Sequence, residues 1–275
     1  MNKPVSVSII MGVYNPKSPK RFIQALESIQ RQSFFDWELL VYDDGSAEPY
    51  QKIIRRARRL DERIRCLRGM ENRGLAHALN VCIRQAAGRF IARMDDDDLA
   101  KPDRLEKQVA FLESHPQYQW VGSNAELMDD QGVWGFQKMP EIPQTRDYLY
   151  NSPFIHPSVM FRRDVLILCG GYDESRQYLL CEDYELFMRL HQRGNRGYNL
   201  QDPLLQYWES YDSYRKRTFR RRLREMRLRY RGFRNMGVLE TATFPYVLKP
   251  LLTGSIPAPV HHYINRRLKR TDKTM

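Results

Sequence analysis

Asp95-Asp96-Asp97-Asp98 places four carboxylates on four consecutive residues. Like charges a few ångströms apart repel and raise one another's pKa, so such a run is unfavourable as mere structure, and a cation removes the penalty. Hard oxygen ligands suit Mg²⁺ or Mn²⁺, which take one or two carboxylates and complete their shells with water and substrate phosphates. The competing reading is a solvated acidic turn at the start of the next helix. Asp43-Asp44-Gly45-Ser46 is, alone, an ordinary turn sequence. Beside a metal site, its carboxylates could instead accept the ring N–H of a nucleotide base. Glu182-Asp183 suits a helix start, where acids are stabilised without further duty; the alternative is a general base for an attacking hydroxyl. His156, preceding Pro157, is by itself a loop histidine.

The elements that must position these groups alternate apolar runs with helical periodicity, which predicts an α/β fold with a mostly parallel, Rossmann-like sheet flanked by helices. Val5 to Met11, Glu38 to Tyr42, Arg63 to Leu67 and Phe90 to Met94 read as strands. Between them lie a helix carrying Phe22, Leu26 and Ile29, with Ser18 as cap and Pro19 in its first turn, a second with Ile53, Ala57 and Leu60, and a third from Leu75 to Ala87. Tyr14-Asn15, Asp43-Asp44 and Asp95 to Asp98 therefore fall at the carboxyl ends of strands, the edge where open α/β sheets bind ligands. Later segments predict a helix through Leu112, strands at Trp120 to Ser123 and Val159 to Phe161, and a helix from Glu182-Asp183. Met128 to Asp147 reads as a polar loop region.

The formal charge of +12 is uneven: between Arg215 and Arg234, eleven Arg or Lys face the single acid Glu225. The same region sets Phe219, Leu223, Met226, Tyr230 and Phe233 at steps of four and three, predicting an amphipathic basic helix in a C-terminal extension from 211 to 275. Its two readings are a helix packed on the body with arginines in water, and one lying on an anionic membrane surface through residues 213–235. No RNA-binding motif or aromatic platform accompanies the arginines, so no nucleic-acid partner is expected. Cys66, Cys82, Cys169 and Cys181 have no metal-ligand spacing and suggest no disulfide scaffold, which points to a reducing cytoplasmic compartment. The opening residues read as a strand rather than a signal. The longest weakly polar stretch, Phe244 to Val260, is broken by four prolines and Lys249, so no membrane span is expected.

Taken in order, the motifs resemble glycosyltransferase family 2. The matching residues are Val7 to Asn15, Val41-Tyr42-Asp43-Asp44-Gly45-Ser46, Asn72-Arg73-Gly74-Leu75-Ala76 with Asn80, and Ala92 to Asp98. Pro102-Asp103-Arg104-Leu105, His156-Pro157-Ser158-Val159-Met160, Gly170-Gly171-Tyr172-Asp173 and Glu182-Asp183-Tyr184-Glu185-Leu186 continue the series. The resemblance spans about residues 5 to 210 and implies a GT-A type fold in a transferase domain of residues 1 to 210.

It also implies an inverting, metal-dependent transfer of one sugar from a nucleotide donor, UDP-linked, to a saccharide or lipid-linked acceptor in envelope polysaccharide synthesis. Tyr14, Asn15, Asp43 and Asp44 would contact the nucleotide, with Asn72, Arg73 and Gly74 beside it. Asp97 is the preferred metal ligand, supported by Asp95 and Asp98, and Asp96 joins the diphosphate site. Asp183 matches the family's base, and His156 and Glu182 would line the pocket. Two departures stand out: Asp96 occupies a position where the family commonly has a small residue, and Tyr207 is followed by Trp208 where many relatives have Arg. The absence of a Q-x-x-R-W string after Asp183 favours single-sugar addition. The rival readings are a non-catalytic protein of this fold docking through its basic helix, and a nucleotidyltransferase, which would need a glycine-rich basic phosphate loop that the sequence lacks.

Overall fold

The computed structural model describes residues 5–209, 218–254 and 256–270. Its first half follows the expected alternation: β1 (Val7–Val13), α1 (Pro19–Gln30), β2 (Trp37–Asp43), α2 (Glu48–Ala57), β3 (Ile64–Arg68), α3 (Leu75–Gln85) and β4 (Phe90–Arg93). β1 pairs in parallel with β2 and β4, and β2 with β3. β1 and β2 are almost wholly buried because helices cover both faces, as parallel strands require. Alternate residues feed two cores. Ile9 and Leu39 join Phe22, Leu26 and Ile29 of α1, while Ile10 and Leu40 join Leu79 and Ile83 of α3. Ser18 caps α1 by accepting from the Arg21 N–H at 3.3 Å, with Pro19 at the first helical position.

Beyond β4 the chain adds β5 (Leu99–Ala100), α4 (Arg104–Ser114), β6 (Trp120–Asp129), β7 (Gly132–Gln137), α5 (Asp147–Tyr150), β8 (Met160–Arg162), α6 (Arg163–Cys169), α7 (Glu182–Gln192) and β9 (Gly197–Trp208). Among the described residues the strands form one sheet in the order β3-β2-β1-β4-β8-β6-β9-β5, with β7 on β6. The sheet is parallel through β3 to β4; β8 is antiparallel to both of its neighbours, and β6 is again parallel to β9. The carboxyl ends of β1, β2 and β4 therefore form one continuous edge.

The loop expected from Met128 to Asp147 is corrected by the structure: it contains the end of β6 and the whole of β7, and it stops at the first residue of the short α5. Gly132, at φ 104°, makes the tight turn back along β6. The strand is held by distant contacts with α10 (Ala258–Arg270), whose Arg266 lies 4.7 Å from the Trp134 ring centroid and pairs with Asp129 at 2.8 Å. Strand β9, which carries Pro203, tolerates it through register irregularities against β6.

The basic helix forms as α8 (Phe219–Asn235), followed by α9 (Phe244–Gly254). Its buried face differs from the expected stripe: Phe219 and Tyr230 are exposed, whereas Leu228, Arg229, Gly232 and Phe233 are buried. Gly232 lets the helix approach α7, since a Cβ there would strike the Met188 sulfur. Arg229 is carried inward because Glu225 (3.0 Å) and the Leu149 carbonyl (2.8 Å) satisfy its guanidinium. The expected boundary at 210 and 211, and residues 213–217 of the expected surface segment, lie outside the described residues. No helix among the described residues is long and apolar enough to cross a membrane.

The turn after α6 frames the site. Gly170 and Gly171 have φ of 85° and 70°, and Asn80 of α3 grips the next residue through its backbone, accepting from the Tyr172 N–H (2.8 Å) and donating to its carbonyl (2.9 Å). A Cβ on Gly171 would collide with the Asn80 carboxamide oxygen. Gly171→Ala is expected to destabilise the fold by about 2 kcal/mol, through the left-handed backbone and the displaced amide, as read by urea unfolding.

Candidate functional site

β4 delivers the aspartate run from a fully buried strand. Arg93, 1% exposed, points its guanidinium at Asp95, with Nη2 2.6 Å from Oδ1. Its Nε and Nη1 have no hydrogen-bond partner among the described residues. Arg104, also buried, donates to the Arg93 carbonyl at 2.7 Å and sits close enough to Asp98 for the two charges to interact. Burial, followed by the charges of Asp97 and Asp95, pushes the Asp96 carboxyl up to about 8. Burial and the charges of Asp95 and Asp97 hold Asp98 well above the carboxylate range. Asp98 turns inward, where one oxygen accepts from the Trp208 N–H of β9 at 2.7 Å and the other lacks a partner among the described residues. Asp95, Asp96 and Asp97 are partly buried.

Among the described residues no three carboxylate, imidazole or thiol side chains form a ready-made metal cage. The donor set nevertheless fits Mg²⁺ or Mn²⁺. These ions need only one or two carboxylates when phosphates complete the shell, and the crowded, pKa-raised carboxyls are groups that a cation would relax.

The β1 and β2 ends are stitched together. Asn15, in the left-handed region at φ 45°, receives the Ala47 N–H on its side chain and donates its own N–H to Ser46 Oγ, both at 2.9 Å. Asp43 accepts from the Ser46 N–H at 2.8 Å and lies 3.8 Å from the Arg68 guanidinium. Asp44 takes the Arg73 N–H (3.0 Å) on one oxygen and the Gly74 N–H (2.7 Å) on the other, fixing the Asn72–Gly74 loop ahead of α3. Tyr14 is half-exposed, and Arg73 reaches Glu174 at 3.6 Å.

Asn72, Gly74, Asp95, His156, Glu182 and Asp183 converge on one cavity of about 650 Å³ at this edge. Tyr14, Asn15, Asp43, Asp44, Arg73, Asp96, Asp97 and Asp98 are not in its wall; they occupy the adjoining strand ends and loops. Glu182 and Asp183 open α7, whose terminus favours negative charge. Burial outweighs that help: it pushes Glu182 up to about 7, and it raises Asp183 against the pull of the Tyr184 N–H and the Arg221 charge. His156 is buried, accepting from or donating to the Tyr172 hydroxyl at 2.7 Å, and burial together with Arg93 holds its pKa well below the usual imidazole value. It is a neutral wall group.

The sequence reading assigned no role to several residues of this wall. Arg93 is one of them, and its signal in the sequence is an arginine inside an apolar run next to four acids. Leu180, in the left-handed region at φ 69°, sits just before α7; such strain in a branched residue collects at functional sites. Arg221 of α8 and Lys269 of α10 reach the cavity from the C-terminal helices, and nothing local in the sequence marks them.

A parallel sheet with acidic groups at successive strand ends, a long antiparallel return and a helix-start acid facing the same cavity defines a glycosyltransferase of GT-A type. The chain belongs to glycosyl transferase family 2, whose model matches residues 8–169. It is 36% identical over 268 residues to EpsE of Bacillus subtilis (strain 168), a provisionally assigned glycosyltransferase, covering 97% of this chain and 95% of that one. It is 32% identical to the amylovoran biosynthesis glycosyltransferase AmsE of Erwinia amylovora, covering 76% and 79%. The fold is shared with S. aureus TarS 1-349 in complex with UDP (TM-score 0.65, 22% identity, 90% of this chain and 70% of that one). It is shared too with the mannosyltransferase PcManGT of Pyrobaculum calidifontis in complex with GDP-Man and Mn²⁺ (TM-score 0.64, 19% identity, 97% and 81%).

Because Asp44 spends both oxygens on backbone amides, Asp44→Asn replaces one acceptor by a donor facing an N–H. Hydrogen exchange of the Arg73 and Gly74 amides should then accelerate roughly tenfold, while amides of β1 and β2 keep their protection.

Proposed function

We propose that the protein transfers a single sugar, with inversion, from a UDP-linked donor to a hydroxyl of a saccharide or lipid-linked acceptor in envelope polysaccharide synthesis. The observation that carries this reading is the placement of Asp183: a helix-start carboxylate, made more basic by burial, faces the cavity that also holds Asp95 and the Asn72–Gly74 loop. AmsE, named for amylovoran biosynthesis, and the UDP and GDP-Man complexes of the fold relatives agree with the polysaccharide and nucleotide-sugar parts.

In this reading Tyr14, Asn15, Asp43 and Asp44 flank the base and ribose, and Asp44 does so indirectly by holding Asn72, Arg73 and Gly74 in place. Asp97 and Asp95 would hold Mn²⁺ or Mg²⁺, with Asp98 tied to β9 as their support and Asp96 beside them. When bound, the ion supplies Lewis-acid stabilisation of the departing diphosphate. Asp183 takes the proton from the acceptor hydroxyl. The freed oxygen bonds to the anomeric carbon as the bond to the diphosphate breaks on the opposite face. Glu182 and neutral His156 shape the wall, and Arg93 fixes Asp95.

The catalytic body comprises residues 1–210 and the extension residues 211–275. We place the extension against the cytoplasmic face of a membrane through the arginines of α8, aided by the exposed Leu252 of α9 and Tyr263 of α10. Flotation with anionic vesicles should carry the protein upward and neutral vesicles should not; equal failure with both defeats the membrane placement.

Asp183→Asn should lower sugar transfer by about 10²-fold or more while donor-induced thermal stabilisation persists. Asp97→Ala should abolish metal-dependent release of nucleoside diphosphate from a panel of nucleotide sugars. The base must be deprotonated to work and its pKa is raised. Turnover should therefore fall as pH drops through a value above the ordinary carboxylate range, and an acidic limb near pH 4 would contradict this environment for Asp183.

A further inference from the structure

Between α6 and α7 the chain runs from Tyr172 to Cys181, and Glu174 is where this segment is held. One carboxylate oxygen accepts from Asn80 Nδ2 at 2.9 Å; the other lies 2.9 Å from His77 Nδ1 and 3.6 Å from the Arg73 guanidinium. A carboxylate only accepts, so His77 must carry its proton on Nδ1. His77 and Asn80 are buried residues of α3, and the His77 ring meets Tyr42, near the end of β2, edge-on at 5.8 Å. Burial opposes ionisation of Glu174, yet the hydrogen bonds from Asn80 and His77, with the Arg73 charge, outweigh it and hold the carboxyl below its ordinary value.

This carboxylate joins two segments far apart in sequence. Arg73 belongs to the Asn72–Gly74 loop, whose amides Asp44 holds. Glu174 belongs to the segment that continues through Leu179 and Leu180 into Asp183. Leu179 and Leu180 stand in the cavity wall with Asn72 and Gly74, and the Leu179 side chain is within contact of a Cβ built on Gly74. A second cavity, of about 560 Å³, lies between α7 and the helices α8, α9 and α10, and shares Leu180, Asp183, Arg221 and Lys269 with the first. The position of this one segment therefore shapes both walls. The Arg73 side chain is 54% exposed and that of Glu174 33%, so their ion pair adds little to stability. Its consequence is geometric.

We propose that Glu174 is a positioning residue: by tying Arg73 to α3 and to the segment leading into α7, it sets the distance between the Asn72–Gly74 loop and the Asp183 carboxylate. Reacting groups displaced by about an ångström lose roughly a hundredfold in rate, so a tie too weak to matter for folding still matters for turnover. The inference rests on the reading that the loop borders the donor and that Asp183 is the base.

The test compares the full wild-type chain with Glu174→Gln, which keeps the shape and the Asn80 contact and removes the charge. The melting temperature should move by no more than about 4 °C. On adding UDP and Mn²⁺, hydrogen exchange should slow in the wild type both in the Asn72–Gly74 loop and in residues 175–181, and in the variant in the loop alone. On the nucleotide sugar whose hydrolysis the protein accelerates, kcat should fall roughly tenfold while KM stays within about twofold. Wild-type kcat in the folded variant, a raised KM at unchanged kcat, wild-type protection that stops at the loop, or variant protection that still reaches 175–181 overturns the proposal. Should Glu174→Gln fail to fold, Arg73→Gln cuts the tie from its other end and must show the same gap in protection; unbroken protection there overturns the proposal equally. A wild-type protein that binds no UDP refutes the donor reading instead.

Discussion

Negative charge gathered at the carboxyl end of β4 is the constraint around which the rest is arranged. Two unit charges 4 Å apart interact by about 4 kcal/mol at an effective dielectric of about 20, so four adjacent carboxylates need positive charge or protons nearby. The fold supplies part of it from beneath, as the buried guanidiniums of Arg93 and Arg104, whose burial is offset by the pairing of Arg93 with Asp95 and by the carbonyl that Arg104 reaches. Arg104 finds its partners only because α4 lies under the sheet, where Gln108 also bridges to the Val121 and Ser158 carbonyls of the neighbouring strand and turn. The inward oxygen of Asp98 fixes the end of β9 through Trp208, and the Arg21 guanidinium of α1 stacks 3.7 Å from the Trp208 ring. The acidic run thus organises elements from both ends of the domain.

The first ninety residues were legible because their signals are local. Buried parallel strands read as unbroken apolar runs, α1 declares its start through Ser18 and Pro19, and each turn carries Asp, Gly or Asn. Placement of the acids at strand ends followed from that alternation alone. β7 was not legible: its residues gain their partner from β6 and their cover from α10, more than a hundred positions away, so no window around Trp134 contains the reason for the strand. The register of α8 failed for a similar cause. Periodicity weighs Phe219 and Tyr230 as apolar and Arg229 as polar. The packed helix instead buries Arg229, whose charge is met by Glu225 and two carbonyls, and Gly232, whose lack of a side chain admits α7.

The C-terminal helices illustrate how a segment that reads as an appendage becomes part of the cavity walls. Arg221 and Lys269 enter both cavities from helices far apart in sequence, and α10 is pinned to the β6–β7 hairpin by Arg266 and to Glu209 by Lys269. The arginine excess therefore has two populations. Arg222 and Arg229 serve packing and the second cavity, whereas Arg227, Arg231 and Arg234 face outward, where an anionic surface could meet them. The packing reading holds for one face of the helix, and the outward arginines are those on which the proposed surface contact would rest.

The base proposed at Asp183 lies in the walls of both cavities, and its surroundings suit general-base chemistry. A carboxylate wholly in water is too weak a base to take a proton from a hydroxyl efficiently, and one wholly buried would hold its own proton at neutral pH. Here burial raises its pKa, while the α7 terminus, the Tyr184 N–H and the Arg221 charge restrain the rise. The net effect is a carboxylate made more basic by burial, with the rise held in check by its neighbours. Arg221 is therefore more than a wall residue: it is set in both cavity walls, and its charge restrains the pKa that burial raises in the neighbouring carboxylate.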